Sequence, residues 1–388
     1  MSAVLLECVV AVACAAAQAA QSAEVITFLR LMPDGHWMRV EVGAGHATQP
    51  DGVSLPDAGD GTMLVRTPIV PADWRSSSVL LASGERLTGT PILRQSGLVW
   101  RHPVLGGVPL VDGTIAAVVL RAGTPVPESS AADIVVLANG DRIEGLVAAI
   151  EDPLVIERDG AGESALPLDR IAAISLVHEA QPPGPVRIWL KDGTALDAHE
   201  AVEAPGGLMV RGLSVFPEGA ARMFGPPAIA AVRWGAQPMA LASLKPASQP
   251  GNQTTSALPR GEPMEVHPGE WPLGLASIRL RGGTRYEFPG HSRSMRLSAL
   301  ARIPVGLHAY ADFDVVVRGD DGELGRWHFD STHTELPIVA DLPAGPWSVE
   351  LIDCGNGPVG DVLDLDLGVL LELAPAGAGP TAAPPAVR

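Results

Sequence analysis

A short phrase that returns three times constrains this chain more than any other feature of it. Val79-Leu80-Leu81-Ala82-Ser83-Gly84-Glu85-Arg86-Leu87-Thr88-Gly89 recurs as Val135-Val136-Leu137-Ala138-Asn139-Gly140-Asp141-Arg142-Ile143-Glu144-Gly145. A looser copy, Ile188-Trp189-Leu190-Lys191-Asp192-Gly193-Thr194-Ala195-Leu196-Asp197, follows about one period later. Each copy is trailed by a second phrase: Ile115-Ala116-Ala117-Val118, Ile171-Ala172-Ala173-Ile174 and Ile229-Ala230-Ala231-Val232. Two phrases in fixed order at nearly constant spacing mark a tandem array of one small supersecondary unit. In the second copy Val135, Leu137, Ile143 and Val147 alternate with polar or small residues, the period of a half-buried strand. Asn139-Gly140 offers two positions that tolerate positive φ, which is hairpin chemistry. Gly145 permits a sharp bend in the strand that follows. Each repeat is therefore expected to be a module of four or five short strands, a small barrel or a β-roll.

The 43 Gly and 36 Pro of the 388 residues leave only short runs between breakers, so long amphipathic helices are excluded and the class is all-β. A formal net charge of −17 opposes phosphate binding and anionic membrane surfaces, and no basic patch offsets it. The pattern Leu137-x-x-Gly140-x-x-Ile143-x-Gly145-x-Val147, with Ile150-Glu151 following, resembles the first half of Sm-like small β-barrels. That resemblance makes RNA binding a third reading of the chain. Charge argues against it, and no nucleic-acid partner is expected.

The apolar run at residues 4–17, followed by Ala17-Gln18-Ala19, reads as an export signal over residues 1–22. The run is too short to span a bilayer, so a secreted, periplasmic or cell-envelope location without a transmembrane anchor is expected. A lipid on Cys14 is the lesser alternative. Loss of the segment removes Cys8 and Cys14 and leaves Cys354 without an intrachain disulfide partner. Boundaries are expected at 23–75 for a β-rich leading module, and at 76–130, 131–180 and 181–240 for the three repeats. A polar linker at 241–261, a sandwich at 262–373 and a disordered Pro/Ala/Gly tail at 374–388 complete the chain.

In the region 262–373 the strands lengthen. Asp312-Phe313-Asp314-Val315-Val316-Val317-Arg318, the turn Gly319-Asp320-Asp321-Gly322 and Arg326-Trp327-His328-Phe329 form a hairpin, and Trp347, Val349 and Leu351 share one face of another strand. Several such strands joined by turn-rich loops indicate a jelly-roll β-sandwich. Ile278-Arg279-Leu280-Arg281-Gly282-Gly283-Thr284-Arg285-Tyr286 and Gly290-His291-Ser292-Arg293-Ser294-Met295-Arg296-Leu297 resemble the opening of the NPCBM family, carbohydrate-binding modules found beside glycoside hydrolases of family 98. Ile303-x-Val305-Gly306-Leu307, Asp320-Asp321-Gly322, Phe329 and Asp361-x-x-Asp364-x-Asp366 follow in the family's order. The resemblance implies a galactose-binding-like jelly roll that binds glycan and does no catalysis. His308 stands where the family has an acidic residue, and Leu367-Gly368 where it has a tryptophan.

Proteins hold sugars through aromatic platforms against C–H faces and a fan of hydrogen bonds to hydroxyls. Tyr310 and Trp327 are the candidate platforms, with Phe313 and Trp347 weighed beside them. His291 and Arg293 are candidate donors. Sandwich core is the alternative use of each aromatic residue, a buried strut that of Arg293 and an ordinary turn that of His291. Asp361, Asp364 and Asp366 could supply oxygens to Ca²⁺, the one candidate cofactor, or stand solvated on an edge strand. The sequence carries no Gly-x-Ser-x-Gly elbow, no phosphate loop and no His-x-x-x-His pair in a helical context. The leading expectation is a non-catalytic glycan-binding protein. An envelope scaffold that contacts proteins and has no sugar site is the alternative.

Overall fold

The computed structural model describes residues 25–43, 63–68, 76–94, 97–110, 113–127, 131–160, 162–204, 206–216, 220–235, 238–250, 264–265, 272–355, 357 and 360–373. The expected export segment with Cys8 and Cys14, and the tail at 374–388, lie outside these residues. The described chain is all-β, with only short 3-10 turns besides its strands. Among the described residues no helix is long and apolar enough to cross a membrane.

Each copy of the first phrase folds as a hairpin with the same pair of turn bonds. Leu81 N–H donates to Glu85 O and Gly84 N–H to Leu81 O, both at 2.9 Å. Leu137, Asp141 and Gly140 repeat this at 2.8 and 2.9 Å, and Leu190, Thr194 and Gly193 at 2.8 and 3.1 Å. The glycine holds φ of 79°, 91° and 89° in the three turns, which L-residues with a Cβ rarely adopt. The second phrase returns to the first strand of its own module, as Val118↔Val79, Ile174↔Val135 and Val232↔Ile188. The same one-residue bulge follows Leu80, Val136 and Trp189, which hold one repeat position.

Gly145 sits where the strand Arg142–Ala149 passes from one partner to the next. It pairs with Asp133–Leu137 at one end and Leu154–Arg158 at the other. A Cβ at Gly145 would lie 2.3 Å from Glu157 O, and one at Gly89, its counterpart, 2.2 Å from Arg101 O. The bend thus requires glycine because two backbones meet there. The modules are barrel-like in strand order but open. In the second repeat the fourth strand, Gly162–Leu166, pairs with Leu154–Arg158 and not with the closing strand Ile171–Ser175.

The modules join edge to edge into one 14-stranded sheet, and not in chain order. The closing strands of the first and second repeats pair with each other, Val119↔Ala173 and Val118↔Ile174. That of the third pairs with the leading module, Ala231↔Val65 and Val232↔Leu64. Ala117, Ala173 and Ala231 are buried at these seams, which explains the small residue at that position in every copy of the second phrase. The first and third repeats meet through their hairpins at Arg86↔Ala195, again one repeat position. Two reciprocal bonds flank that point. Asp197 N–H donates to Glu85 Oε1 at 2.7 Å and Thr88 N–H to Thr194 Oγ1 at 3.1 Å.

The C-terminal unit is a two-sheet sandwich. One sheet holds Met264–Glu265, Ile278–Arg281, Val362–Glu372, Met295–Arg302 and Glu335–Leu342 in that order, and the other Ala247–Pro250, Thr284–His291, Gly345–Asp353, Asp312–Gly319 and Gly322–Asp330. From Ile278 onward successive strands cross between the sheets, except at the hairpin of Asp312–Gly319 and Gly322–Asp330, and this wraps the chain as a jelly roll around Tyr286, Phe288, Phe313, Phe329 and Trp347. The linker expected at 241–261 is corrected at its start. Met239–Ala240 pairs with the last strand and Ala247–Pro250 with Thr284–His291, so this polar stretch forms an edge strand. Edge strands need backbone pairing on one side only and tolerate polar composition. Between them Leu241 is buried against Gly368, where a Cβ would lie 2.8 Å from that of Leu241. Leu367-Gly368 therefore makes room for a chain entry.

A third apolar cluster joins sandwich to array. Leu31, Met63, Val65 and Ala231 from the array pack with Leu273, Leu275, Leu367 and Val369. Arg296 donates to Asp34 O at 3.1 Å and Ser298 Oγ to Gly35 O. Each fully buried leucine contributes about 1.5–3 kcal/mol, so this seam is a substantial contact.

Candidate functional site

Strand register separates the sequence-predicted residues. His291 lies opposite Gly345 and Trp347 opposite Gly319, at one end of the strand Asp312–Gly319. Asp312 lies opposite Asp330, and Phe313 opposite Asp353, at the other. At ~3.3 Å per residue these ends are about 23 Å apart. His291 and Tyr310 do not share a site.

At the first end His291 serves the core. Trp347 Nε1 donates to His291 Nε2 at 3.0 Å, and Trp347 stacks on Phe288 with centroids 4.1 Å apart and planes 5° from parallel. Burial pushes the imidazole pKa down, which suits a neutral acceptor ring. Arg293 is exposed and ion-paired with Glu372, not a buried strut. Trp327 lies midway along its strand on the face of Phe329, packs against the core and covers Gly325. A Cβ at Gly325 would lie 2.3 Å from the Trp327 ring. The half-buried ring therefore braces the fold. Phe313 is core as well, stacked on Phe329 at 5.6 Å.

The second end gathers different chemistry. The 3-10 turn Val305–Tyr310 leaves Val305 81% and Tyr310 65% exposed. Gly360 packs under this turn, since a Cβ there would sit 2.6 Å from Tyr310 O. Cys354 N–H donates to Asp312 O at 3.0 Å and ties the loop after Gly345–Asp353 to the start of Asp312–Gly319. Asp353 Oδ1 accepts from Gly355 N–H at 3.0 Å and Gly357 N–H at 2.9 Å, which fixes its carboxylate. Asp330 Oδ1 accepts from the Thr332 hydroxyl and then the His333 and Thr332 amides, all at 2.7 Å, and these bonds hold its pKa far below the usual range. His328 Nδ1 lies 3.0 Å from Asp314 Oδ1, and its Nε2 3.8 Å from both Asp312 and Asp330. Asp312, His328 and Cys354 bring one ligand atom each within 4.8 Å of one another. The Cys354 thiol is pushed up to about 11 by burial and by the charges of Asp314 and Asp312.

Asp361 is the anomaly of this end. It is 0% exposed, and neither carboxylate oxygen has a hydrogen-bond partner. Burial and then the charge of Asp353 raise its pKa to about 7, with the charge of Asp312 adding to the rise. The other two predicted metal ligands do not join it. Asp364 takes both its oxygens to Arg279, at 2.7 and 2.8 Å, and Asp366 faces Arg302 at 3.6 Å. Both lie on the outer face of Val362–Glu372, while Leu363 and Leu365 point into the core. The charges that act on Asp361 are those of Asp353 and Asp312, which the sequence reading did not name. Asp353-x-Gly355-x-Gly357 was the available signal, a carboxylate followed by two residues of positive φ at 134° and 89°.

No protein-family model matches the chain, and no curated protein matches it. Among solved structures it is similar to the CBM51-2 and INT domains of ZmpB from Clostridium perfringens, at 10% identity and a TM-score of 0.30, over 46% of this chain and 41% of that one. The lectin domain of lectinolysin complexed with Lewis b aligns at 21% identity and a TM-score of 0.18, over 26% of this chain and 73% of that one. A carbohydrate-binding module of the β-sandwich superfamily aligns at 13% identity and a TM-score of 0.21, over 77% and 99%. The chain thus spans about two-fifths of the first of these structures.

Proposed function

We propose that this chain is an exported, non-catalytic glycan-binding protein whose C-terminal sandwich holds a saccharide at the loop end that carries Tyr310. The observation behind this reading is the Tyr310 ring, 65% exposed beside Val305 and at the same end as Asp312, Asp330 and Asp353. A pyranose can stack a C–H face on the phenol ring while the carboxylates and loop backbone accept from its hydroxyls. Acidic neighbours and a net charge of −17 favour neutral over anionic sugars. The NPCBM-like motifs support the same ligand class, and the continuous array would serve as the stalk that presents the site.

A glycan array probed with the full chain tests this. Neutral saccharides should be retained, lost with Tyr310→Ala and kept with Arg293→Ala, whose side chain is paired with Glu372. Retention that survives Tyr310→Ala would remove the site from this end, and silence across the array would favour the scaffold role.

A further inference from the structure

The array alternates two kinds of seam and stops one seam short. Closing strands pair between the leading module and the third repeat and between the first and second repeats, while hairpins pair between the third and the first. The hairpin of the second repeat is left over. We propose that it docks a second copy of this chain, joining two arrays about a two-fold axis at Arg142. The proposal is independent of the glycan reading, because this hairpin lies at the far end of the sheet from the strands that pack on the sandwich.

The seam between the first and third repeats shows what such a contact needs. Arg86 lies opposite Ala195. Glu85 and Thr194 hold one repeat position, and each accepts the amide of the residue three beyond its counterpart. Glu85 Oε1 takes that of Asp197, and Thr194 Oγ1 that of Thr88. Ser83 Oγ donates to the other Glu85 oxygen at 2.7 Å. From the flanking sheet His102 Nε2 reaches Thr194 Oγ1 at 2.9 Å. Glu85, Thr88, Thr194 and Asp197 are all buried.

The second repeat carries the same parts exposed. Residues 142–145 pair on one side with Asp133–Leu137, and among the described residues no strand lies along the other. Asp141 and Glu144, the counterparts of Glu85 and Thr88, are exposed. Asn139 Nδ2 donates to Asp141 Oδ2 at 2.7 Å, as Ser83 does to Glu85, which leaves Oδ1 to accept an amide. Thr90 pairs with Arg101 and Leu146 with Glu157, so the counterpart of His102 is Arg158, also exposed. The register of the internal seam would set Arg142 against Arg142 of the second copy and diagonal to its Glu144. It would bring Arg158 to Asp141 of the second copy, and both contacts recur about the axis. A two-fold contact must be self-complementary, and alternating arginine and carboxylate meet that condition here.

Sedimentation equilibrium of the full chain, at concentrations up to about 1 mM, tests this. The mass should rise reversibly from that of one chain toward that of two, since so narrow a joint belongs with the small, weak interfaces. Asp141→Arg should weaken association by more than about 10-fold, because like charges then meet across the axis. Arg158→Asp should do the same, and the double variant Asp141→Arg/Arg158→Asp should restore association by re-forming each pair. Both side chains are exposed, and circular dichroism verifies that the variants fold. Glu163→Arg, on the outermost strand Gly162–Leu166, should leave association unchanged. A chain that stays monomeric throughout would overturn the proposal, as would association that survives Asp141→Arg or that the double variant fails to restore. Association lost in Glu163→Arg alone would also overturn it and move the contact to the end strand of the sheet.

Discussion

Tyr310 owes its exposed ring to a residue that has no side chain. Gly360 lies against the backbone of the Val305–Tyr310 turn, and its missing Cβ would meet Tyr310 O at 2.6 Å and Tyr310 Cβ at 2.7 Å. Gly360→Ala must push the turn away or shift the loop that leads to Asp361. Forcing a methyl into a closed contact costs about 1–3 kcal/mol. We therefore expect Gly360→Ala to lower stability by that amount in denaturant unfolding, and to weaken glycan binding without removing any group that contacts sugar. The contrast between Tyr310 and Trp327 shows why the exposure of aromatic side chains was only partly legible in the sequence. Both are aromatic residues, but Trp327 shares the strand face of Phe329 and lies over Gly325, whereas Tyr310 ends a turn. Side-chain direction on a strand follows from register, and register is set by partners far away in sequence.

At the scale of elements, the repeat was legible and its assembly was not. Turn glycines and alternation identify the hairpins because both are local. The pairing of Ile171–Ser175 with Ile115–Val119, and of Arg86 with Ala195, joins strands more than fifty residues apart that no local pattern specifies. The contact between the first and third repeats is closed by His102. Its Nδ1 accepts from the Val104 and Leu105 amides at 3.1 and 3.0 Å, so Nε2 carries the proton and donates toward Asp192 Oδ2 at 2.8 Å and Thr194 Oγ1 at 2.9 Å. Burial pushes the Asp192 pKa up, but the His102 bond and the Thr194 amide outweigh it, and the net shift is downward. A carboxylate whose folded pKa is depressed stabilises the protein above its unfolded pKa of about 3.9, and that stabilisation is lost as pH falls through the folded value. Asp192→Asn should accordingly lower stability at neutral pH and flatten the acid limb of the stability profile below about pH 4. A variant whose acid limb matches the wild type would show that Asp192 is not part of the latch.

Across the whole molecule, array and sandwich act as one body through the seam of Leu31, Met63, Leu367 and Val369. The sequence showed a boundary in this region, because composition changes there. It did not show that Met239–Pro250 belongs to the sandwich, since an edge strand draws its stability from backbone pairing and leaves little side-chain signature. The proposed site at the Tyr310 end is thus carried on the same sheets that pack against the array. The most direct test is a calorimetric titration of the full chain with the saccharide that it retains best, run for wild type, Tyr310→Phe, Tyr310→Ala and Trp327→Ala. A stacking platform predicts that Tyr310→Phe stays within several-fold of wild type and that Tyr310→Ala loses on the order of 10-fold or more, since an aromatic contact contributes about 0.5–1.5 kcal/mol beyond its buried area. Trp327→Ala should bind normally once folding is verified. Loss of binding in Trp327→Ala with Tyr310→Ala unaffected would contradict the account and move the site to the middle of the sheet.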